Sequence, residues 1–329
     1  SVDANGHLYV PAEVRSISNS AFESCLRLST LSFALNGALL SIGSKSFYNT
    51  SIVSVIIPES VSTIGVAGFS NCTLLSTVTI PINSILSDIQ ELAFSYTPIK
   101  SMSIPKNVEK ISKSTFAYCV NLITVVFAFD SKLSSIEEYS FFASSLNSID
   151  IPTGVTHISS YSFAFCRKLI NVEFSTYSKL ESISTRAFLK SGLTSIIIPS
   201  HVQSIGEEAL AFCSRLKVVT FSCASIMTIF NNSFFNSSLT SISLPSTITY
   251  LGAVPISNVG VCSLCDVGKY SISGDDGKGA CISCNVGYTT SEVGTRGDDQ
   301  SACSVCDVGY FSATGIASGA NTGCTICKT

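Results

Sequence analysis

The sequence predicts a repeat solenoid with a parallel β-sheet and about eleven coils, followed by a small disulfide-rich domain. Three observations support this prediction: a 47-residue period, a short alternating apolar run in each half of that period, and a change of composition after residue 261. Although 46% of the residues are hydrophobic, no apolar run reaches the roughly 18 to 20 residues that cross a bilayer. The apolar side chains must therefore be buried in many short pieces, and we expect no membrane insertion by this segment.

The 47-residue period is visible in several residue types at once. Proline and phenylalanine both keep it, in columns that begin at Pro11, Phe22 and Phe47. Cysteine keeps the same interval, at Cys25, Cys72, Cys119, Cys166 and Cys213. Several columns in one phase indicate an internal repeat, which is the sequence signature of a stacked architecture.

Each period divides into halves of 23 and 24 residues that share one template. The template is an apolar pair, a large apolar residue that is usually Phe, a small residue and an alternating apolar run, which predicts a strand. Proline often ends the run, because it cannot donate to a ladder. A unit this short cannot bury its own apolar face, so neighbouring units must stack. Eleven such runs are centred near Tyr9, Ser32, Val55, Thr79, Met102, Val125, Ile149, Val172, Ile196, Val219 and Ile242.

The half-repeat pattern is well seen in Val202-x-x-Ile205-Gly-x-x-x-Leu210-x-x-Cys213-x-x-Leu216-x-x-Val219-x-Phe221. This pattern resembles the BspA-type leucine-rich repeat over about residues 6–252. The resemblance implies a leucine-rich-repeat solenoid with its strands on the concave side and the Ile-Gly to Ala-Phe segments on the opposite wall. It also implies adhesion or partner binding, without identifying the partner.

The cysteine column alternates with Ser or Thr in the intervening half-repeats. Successive column cysteines are thus two coils, or about 10 Å, apart at the usual strand spacing. A disulfide needs Cα atoms within about 7 Å, so these cysteines are too far apart to pair or to form a metal ladder. We expect Cys25, Cys72, Cys119, Cys166 and Cys213 to be buried structural residues.

The region from residue 262 contains four C-x-x-C pairs, and their spacing fits either zinc or disulfides. The phrase after the first three pairs repeats, as in Asp266-Val-Gly268, and this favours a chain of equal disulfide-bonded modules over two zinc sites. The phrase resembles ephrin-receptor-like cysteine-rich repeats over residues 262–327. That resemblance implies three bonds, Cys265–Cys281, Cys284–Cys303 and Cys306–Cys324. We therefore predict a solenoid at 1–252, a linker at 253–261 and cysteine-rich repeats at 262–329.

The formal charge sums to zero over residues 1–261, where 15 basic and 15 acidic side chains occur, and no basic stripe is evident. A nucleic-acid partner therefore lacks the phosphate attraction that dominates such binding. The better candidate for a binding surface is the outward face of the strands, which is rich in hydroxyl side chains and has a short acidic centre. Its partner-binding candidates are Asp150, Glu173, Asn171, Ser148, Ser195 and Thr124.

Only three histidines occur, His7, His157 and His201, and no catalytic motif accompanies them. We predict no enzyme and no cofactor, with His157 and His201 on loops. Candidate glycosylation sites are Asn49, Asn231 and Asn236, each in an N-x-S/T triplet.

These patterns favour an extracellular or cell-surface recognition or adhesion module, such as a fragment of a receptor ectodomain, that binds a protein or glycan. A structural spacer of a cell coat or matrix is the alternative, and a zinc-containing intracellular scaffold is a second one. The chain starts at Ser1 without Met or a signal-like segment, so we expect a mature or excised fragment. Because no N-terminal cap of the solenoid is evident, we also expect further sequence upstream.

Overall fold

The computed structural model describes residues 2–221 and 227–245, and beyond them only the strand segments 248–251, 258–262, 269–271, 281–283, 288–289, 305–306, 310–312 and 324–326. The fold is a parallel β-solenoid of about nine turns, consistent with leucine-rich repeats. Strands are numbered along the chain, and successive strands alternate between two faces of the solenoid.

The odd-numbered strands form the first face, which we call the strand face. They are β1 (His7–Val10), β3 (Thr30–Phe33), β5 (Ser54–Ile56), β7 (Thr77–Thr79), β9 (Ser101–Ile104), β11 (Thr124–Phe127), β13 (Ser148–Ile151), β15 (Asn171–Phe174), β17 (Ser195–Ile198), β19 (Val218–Phe221) and β21 (Ser241–Pro245). Each of the eleven apolar runs predicted from the sequence coincides with one of these strands. The nine turns between β1 and β19 are described in full.

The even-numbered strands are short and form two parallel sheets. They are β2 (Ser16–Ile17), β4 (Ser41–Ile42), β6 (Thr63–Ile64), β8 (Asp88–Ile89), β10 (Lys110–Ile111), β12 (Ser135–Ile136), β14 (His157–Ile158), β16 (Ser182–Ile183), β18 (Ser204–Ile205), β20 (Met227–Ile229) and β22 (Ile248–Leu251). Strands β2 to β8 form one sheet and β10 to β22 the other. His157 thus lies on a strand, and the prediction that it lies on a loop is wrong, because the buried isoleucine that follows it belongs to the short strand that recurs in each turn.

The strand face is hydrogen bonded in pairs, such as β5 with β7, rather than as one continuous ladder. Between one strand pair and the next, a backbone N–H donor is missing where the strand is followed by proline. The Ile57 N–H donates to the Thr79 carbonyl in β7, and successive residues of a strand point their N–H groups to opposite sides. The next residue, Pro58, would face β3 but has no N–H.

The core contains a row of stacked phenylalanine rings along the solenoid axis, surrounded by buried Leu, Ile and Val side chains. Successive ring centroids lie between 5.1 and 5.9 Å apart, and interplanar angles lie between 2° and 14°. The row contains Phe22, Phe47, Phe69, Phe94, Phe116, Phe141, Phe163 and Phe188. Leu210 follows at the same position and is also fully buried. Stacking at the coil repeat lets phenylalanine fill this position in eight successive turns.

The segments around these phenylalanines form a third surface, which we call the turn wall. The residues two before and two after each core position have positive φ, for example Lys45 (54°) and Asn49 (55°) beside Phe47. This conformation costs a non-glycine residue about 1–2 kcal/mol. Hydrogen bonds to the next turn offset the cost, because the N–H groups of Lys45, Phe47 and Asn49 all donate to its carbonyls at 2.8–3.0 Å.

Beyond the solenoid, the described segments are strands only. Strand β23 (Asn258–Cys262) pairs in parallel with β21. Three antiparallel pairs follow: β24 (Lys269–Ser271) with β25 (Cys281–Ser283), β26 (Tyr288–Thr289) with β27 (Val305–Cys306), and β28 (Tyr310–Ser312) with β29 (Cys324–Ile326). The predicted linker and the disulfide pairing of Cys265, Cys281, Cys284, Cys303, Cys306 and Cys324 fall largely outside the described residues and stay predictions.

Candidate functional site

The six partner-binding candidates lie on four neighbouring strands of the strand face. Thr124 is on β11, Ser148 and Asp150 on β13, Asn171 and Glu173 on β15, and Ser195 on β17. Five of the six side chains are exposed, and Asn171 is half-buried. The alternation of the pleat places them on the solvent side, while the intervening residues, such as Ile149 and Val172, are buried.

The two acidic candidates are direct register partners. Asp150 lies opposite Glu173, and Ser148 lies opposite Asn171, in the β13–β15 ladder. The Asn171 Nδ2 donates to Glu173 Oε1 at 2.8 Å, which orients that carboxylate along the strand. Neither carboxylate forms an ion pair within the described residues. The arrangement therefore presents two adjacent carboxylates that are free to accept from a cationic partner.

A shallow depression of about 370 Å³ lies beside this acidic pair. Asp150, Val126, Thr153 and Phe129 contribute to its lining. Val126 is 61% exposed, and the Phe129 ring is fully exposed. Exposed aromatic side chains are enriched at protein–protein interfaces. Phe129 is not among the residues predicted from the sequence, because it follows β11 by two residues and its apolar character suggests a core position.

The column cysteines are structural hydrogen-bond donors rather than reactive groups. Each buried thiol donates to the carbonyl of a core phenylalanine one turn earlier, as Cys119 does to Phe94 at 3.2 Å and Cys166 to Phe141 at 3.0 Å. Burial raises the pKa of both thiols to about 12, so they keep their protons at neutral pH. A protonated, enclosed thiol is neither a nucleophile nor a metal ligand.

The column differs from the prediction at one end. Cys72, Cys119, Cys166 and Cys213 are buried, whereas Cys25 is half-buried, because it lies in the first turn and no earlier turn of this chain covers it. All five are free cysteines. Within the described part of the chain, no three His, Cys, Asp or Glu side chains come together as a metal site.

The histidines make only local hydrogen bonds to hydroxyls. His7 Nε2 lies 2.6 Å from Ser32 Oγ, and His157 Nδ1 lies 2.7 Å from Thr156 Oγ1. His201 is exposed and lies beside Ser200. Within the described region, none of these ring hydrogen bonds involves a carboxylate.

The BspA-type leucine-rich-repeat family model matches this chain over residues 5–123 and 127–259, in six copies. The chain belongs to this family. No curated protein sequence matches it. A leucine-rich-repeat protein from Bacteroides ovatus is 21% identical, with coverage of 77% of this chain and 72% of that one and a TM-score of 0.56, and it supports the leucine-rich-repeat fold.

Two further structures share less of the geometry with this BspA-type chain. The pneumococcal vaccine antigen PcpA is 19% identical, with coverage of 78% of this chain and 79% of its own, at a TM-score of 0.49. A leucine-rich cell surface protein from Faecalibacterium prausnitzii is 22% identical, with coverage of 76% and 82%, at a TM-score of 0.42. Leucine-rich-repeat solenoids are typically non-enzymatic. In the described regions, no helix has the length and hydropathy needed to cross a bilayer.

The glycosylation candidates of this BspA-type chain lie on the turn wall in different surroundings. Asn49 is half-buried, and its Nδ2 donates to Ser24 Oγ at 3.2 Å, while its Oδ1 accepts from Asn71 Nδ2 at 3.1 Å. Asn231 and Asn236 are exposed. A glycan on Asn49 would break an asparagine ladder that joins three turns, so the two exposed sites are the more accessible acceptors.

The turn wall also carries an aromatic band that the sequence analysis missed. Tyr96 stacks on Tyr118 at 4.5 Å, and Tyr139 stacks on Tyr161 at 4.8 Å. Arg186 donates to the Tyr161 hydroxyl and to a Glu208 carboxylate oxygen, at 2.5 and 2.8 Å. These residues share repeat positions flanking the core phenylalanines, but no apolar periodicity marks them, because polar, charged, apolar and aromatic residues all occur at the two positions in different turns.

Proposed function

We propose that this protein is a surface recognition or adhesion module of the BspA type that binds a protein partner through the strand face. The binding centre is the depression beside the β13–β15 register pair, with Asp150 and Glu173 as the charged groups and Phe129 and Val126 as the apolar ones. The observation that carries the proposal is that Asp150, the register partner of Glu173, shares a depression with the fully exposed Phe129 ring, and neither carboxylate has an ion-pair partner among the described residues.

The chemistry favours a partner that presents a basic group next to an apolar side chain. Carboxylates in register accept charge-assisted hydrogen bonds from a guanidinium or ammonium group. The exposed ring offers apolar area that is buried only when a partner docks, and such anchors dominate interface energetics. Hydroxyl side chains such as Ser148 and Ser195 lie around this centre and form a polar rim of the kind found around interface cores.

Extracellular or cell-surface exposure is part of the proposal. It rests on membership of the BspA-type family, on the hydroxyl-rich strand face and on the four C-x-x-C pairs of residues 262–327. Disulfides in that region would agree with an oxidising compartment. Eight titratable thiols with two bound zinc ions would instead support the intracellular scaffold.

The test is binding of the whole chain to protein and glycan arrays, followed by affinity measurements on the hits. Variants Phe129→Ala and Asp150→Asn/Glu173→Gln remove the proposed anchor and charge. We expect each to weaken binding about ten-fold or more, which corresponds to ~1.4 kcal/mol. The matched control is Glu59→Gln/Glu109→Gln, which removes two exposed acidic groups elsewhere and should leave the affinity unchanged.

Two outcomes would count against the proposal. Hits that tolerate both site variants as well as the control would place the recognition surface elsewhere. An absence of hits on both arrays, with folding verified by circular dichroism, would favour the structural spacer. Hits that are limited to glycans and that both site variants weaken would keep the strand face as the recognition surface and replace the protein partner with a carbohydrate.

A further inference from the structure

A second depression lies on the turn wall, where three cationic side chains from three successive turns converge. Arg167, Lys190 and Arg215 all contribute to its lining, and its volume is about 430 Å³. Consecutive turns of a solenoid are about 4.8 Å apart, so the three charges follow one another along the axis. Gly192 also lines the depression, and a Cβ there would lie 2.3 Å from the Arg167 carbonyl oxygen.

The positive charge of this depression is not neutralised by the protein. No Asp or Glu belongs to its lining. Among the ion pairs of the described residues, none involves Arg167, Lys190 or Arg215. The solenoid carries equal numbers of acidic and basic side chains in total, so this is a local excess that follows from how the turns are stacked.

Lys190 is held in place by aromatic rings. Its Nζ lies 5.2 Å from the Phe165 ring centroid and 5.4 Å from that of Phe212. Phe165, Lys190, Phe212 and Asn236 occupy the same repeat position in four successive turns, and all have φ between 53° and 62°. The shared backbone conformation fixes the direction of the four side chains, so the cation is preorganised between two rings rather than free on the surface.

The remaining lining is polar and neutral. It includes the Asn236 amide and the hydroxyls of Ser214 and Ser238. The backbone of the wall offers few donors of its own, because the N–H groups of Lys190 and Phe212 already donate to the next turn at 3.0 and 2.7 Å. A ligand must therefore be recognised by side chains: cations, an amide, hydroxyls and an aromatic ring.

We propose that this depression binds an anionic sugar unit of a glycan, with a carboxylate or sulfate group on Arg167, Lys190 and Arg215. A pyranose ring combines hydroxyl groups, which match the serines and Asn236, with an apolar C–H face, which matches the Phe212 ring. The guanidinium groups provide planar donors for a carboxylate or sulfate. This site shares no residue with the strand-face centre and takes a ligand of opposite charge.

An acidic peptide fits the geometry less well. Extended peptides gain affinity from main-chain hydrogen bonds to an open sheet edge, and the backbone donors at this wall are already occupied. The side-chain set provides ring and hydroxyl recognition that a run of carboxylates would not use. We therefore assign the site to a glycan and treat the peptide as an outcome of the test.

The experiment measures binding of the whole chain to four probes by calorimetry at low and moderate salt. The probes are a sulfated heparin oligosaccharide, a carboxylated but unsulfated hyaluronan oligosaccharide, an uncharged dextran oligosaccharide and a poly-glutamate peptide. We expect binding to one or both anionic sugars that weakens with added salt, since salt screens exposed charges. The first two probes distinguish sulfate from carboxylate as the recognised group.

Variant Arg167→Gln/Lys190→Gln/Arg215→Gln should weaken the sugar affinity at least ten-fold. The control Lys100→Gln/Lys110→Gln/Lys132→Gln removes three exposed cations elsewhere and should change it less than two-fold. Variant Asp150→Asn/Glu173→Gln should also leave it unchanged, which separates this site from the strand face. Four outcomes would each overturn the assignment. Two concern specificity: equal losses in both triple variants, or dextran binding as tight as that of the anionic sugars. The other two are preferential binding of poly-glutamate and no binding of either anionic sugar.

Discussion

Replacing one ring of the phenylalanine row with a small side chain should lower the stability of the fold strongly, because the neighbouring turns cannot move in to fill the cavity. Phe141 is fully buried and stacks on Phe116 at 5.4 Å and on Phe163 at 5.2 Å. The neighbouring turns are held at fixed spacing by hydrogen bonds such as Phe141 N–H to the Ser162 carbonyl at 2.8 Å. Phe→Ala substitutions in cores cost about 3–5 kcal/mol, more when the site cannot collapse. We therefore expect Phe141→Ala to lie at the upper end of that range.

Urea denaturation followed by circular dichroism measures this cost, and hydrogen exchange locates it to the affected turns. Phe141→Leu should cost only about 1–2 kcal/mol, within the range of core substitutions, because Leu210 already fills the equivalent position in another turn. Phe129→Ala removes the same number of atoms from an exposed ring and should change stability by less than about 0.5 kcal/mol. If Phe141→Ala lowers the free energy of unfolding by no more than Phe129→Ala does, the phenylalanine row is not a rigid part of the core.

Three further changes test other parts of the fold. Ser140 buries a hydroxyl without a hydrogen-bond partner, while Ala93 stands at the same repeat position, so Ser140→Ala should raise the urea midpoint by the equivalent of about 1 kcal/mol. Gly65→Ala would place a Cβ 2.6 Å from the Ser44 backbone nitrogen, so we expect a lower melting temperature and a loss of about 1–3 kcal/mol. Burial raises the pKa of Cys119 to about 12 from its ordinary 9.0, so the folded state keeps a proton that the unfolded state releases. The stability from this thiol is present below about pH 9 and is lost as pH rises toward 12, and Cys119→Ser should remove up to ~1.4 kcal/mol per pH unit from that slope.

The fold could be predicted from the sequence because every half-repeat has to bury apolar side chains at the same positions. Phe116, Phe141 and Phe163 each fill one turn of the same core, and a misplaced strand would expose all of them together. Every predicted apolar run, from that near Tyr9 to that near Ile242, falls on a strand. The hydrogen bonding of the strand face in pairs was not predicted, because it depends on the side to which each N–H points.

The surfaces could not be predicted in the same way, because their residues are not periodic. Arg167, Lys190 and Arg215 are separated by 23 and 25 residues and carry no motif. Their convergence follows only from the stacking of turns and from the positive φ at Lys190. The positive-φ positions were invisible as well, since glycine, the usual marker of that conformation, is absent from them and cross-turn hydrogen bonds hold the backbone instead.

Some positions of the repeat template tolerate substitution better than others, and this difference explains where the two proposed binding sites lie. The phenylalanine, the column cysteine and the inward strand residues each contact the turns on both sides, so a change there disturbs three turns at once. The outward strand positions expose their side chains and contribute mainly their backbones to the stack, so these side chains can vary at little cost in stability. Asp150 and Glu173 occupy such positions on the strand face, and Arg167, Lys190 and Arg215 are exposed on the turn wall of neighbouring turns. A solenoid of this kind can therefore carry an acidic and a basic site side by side, and substitutions in one should leave both the fold and the other site intact.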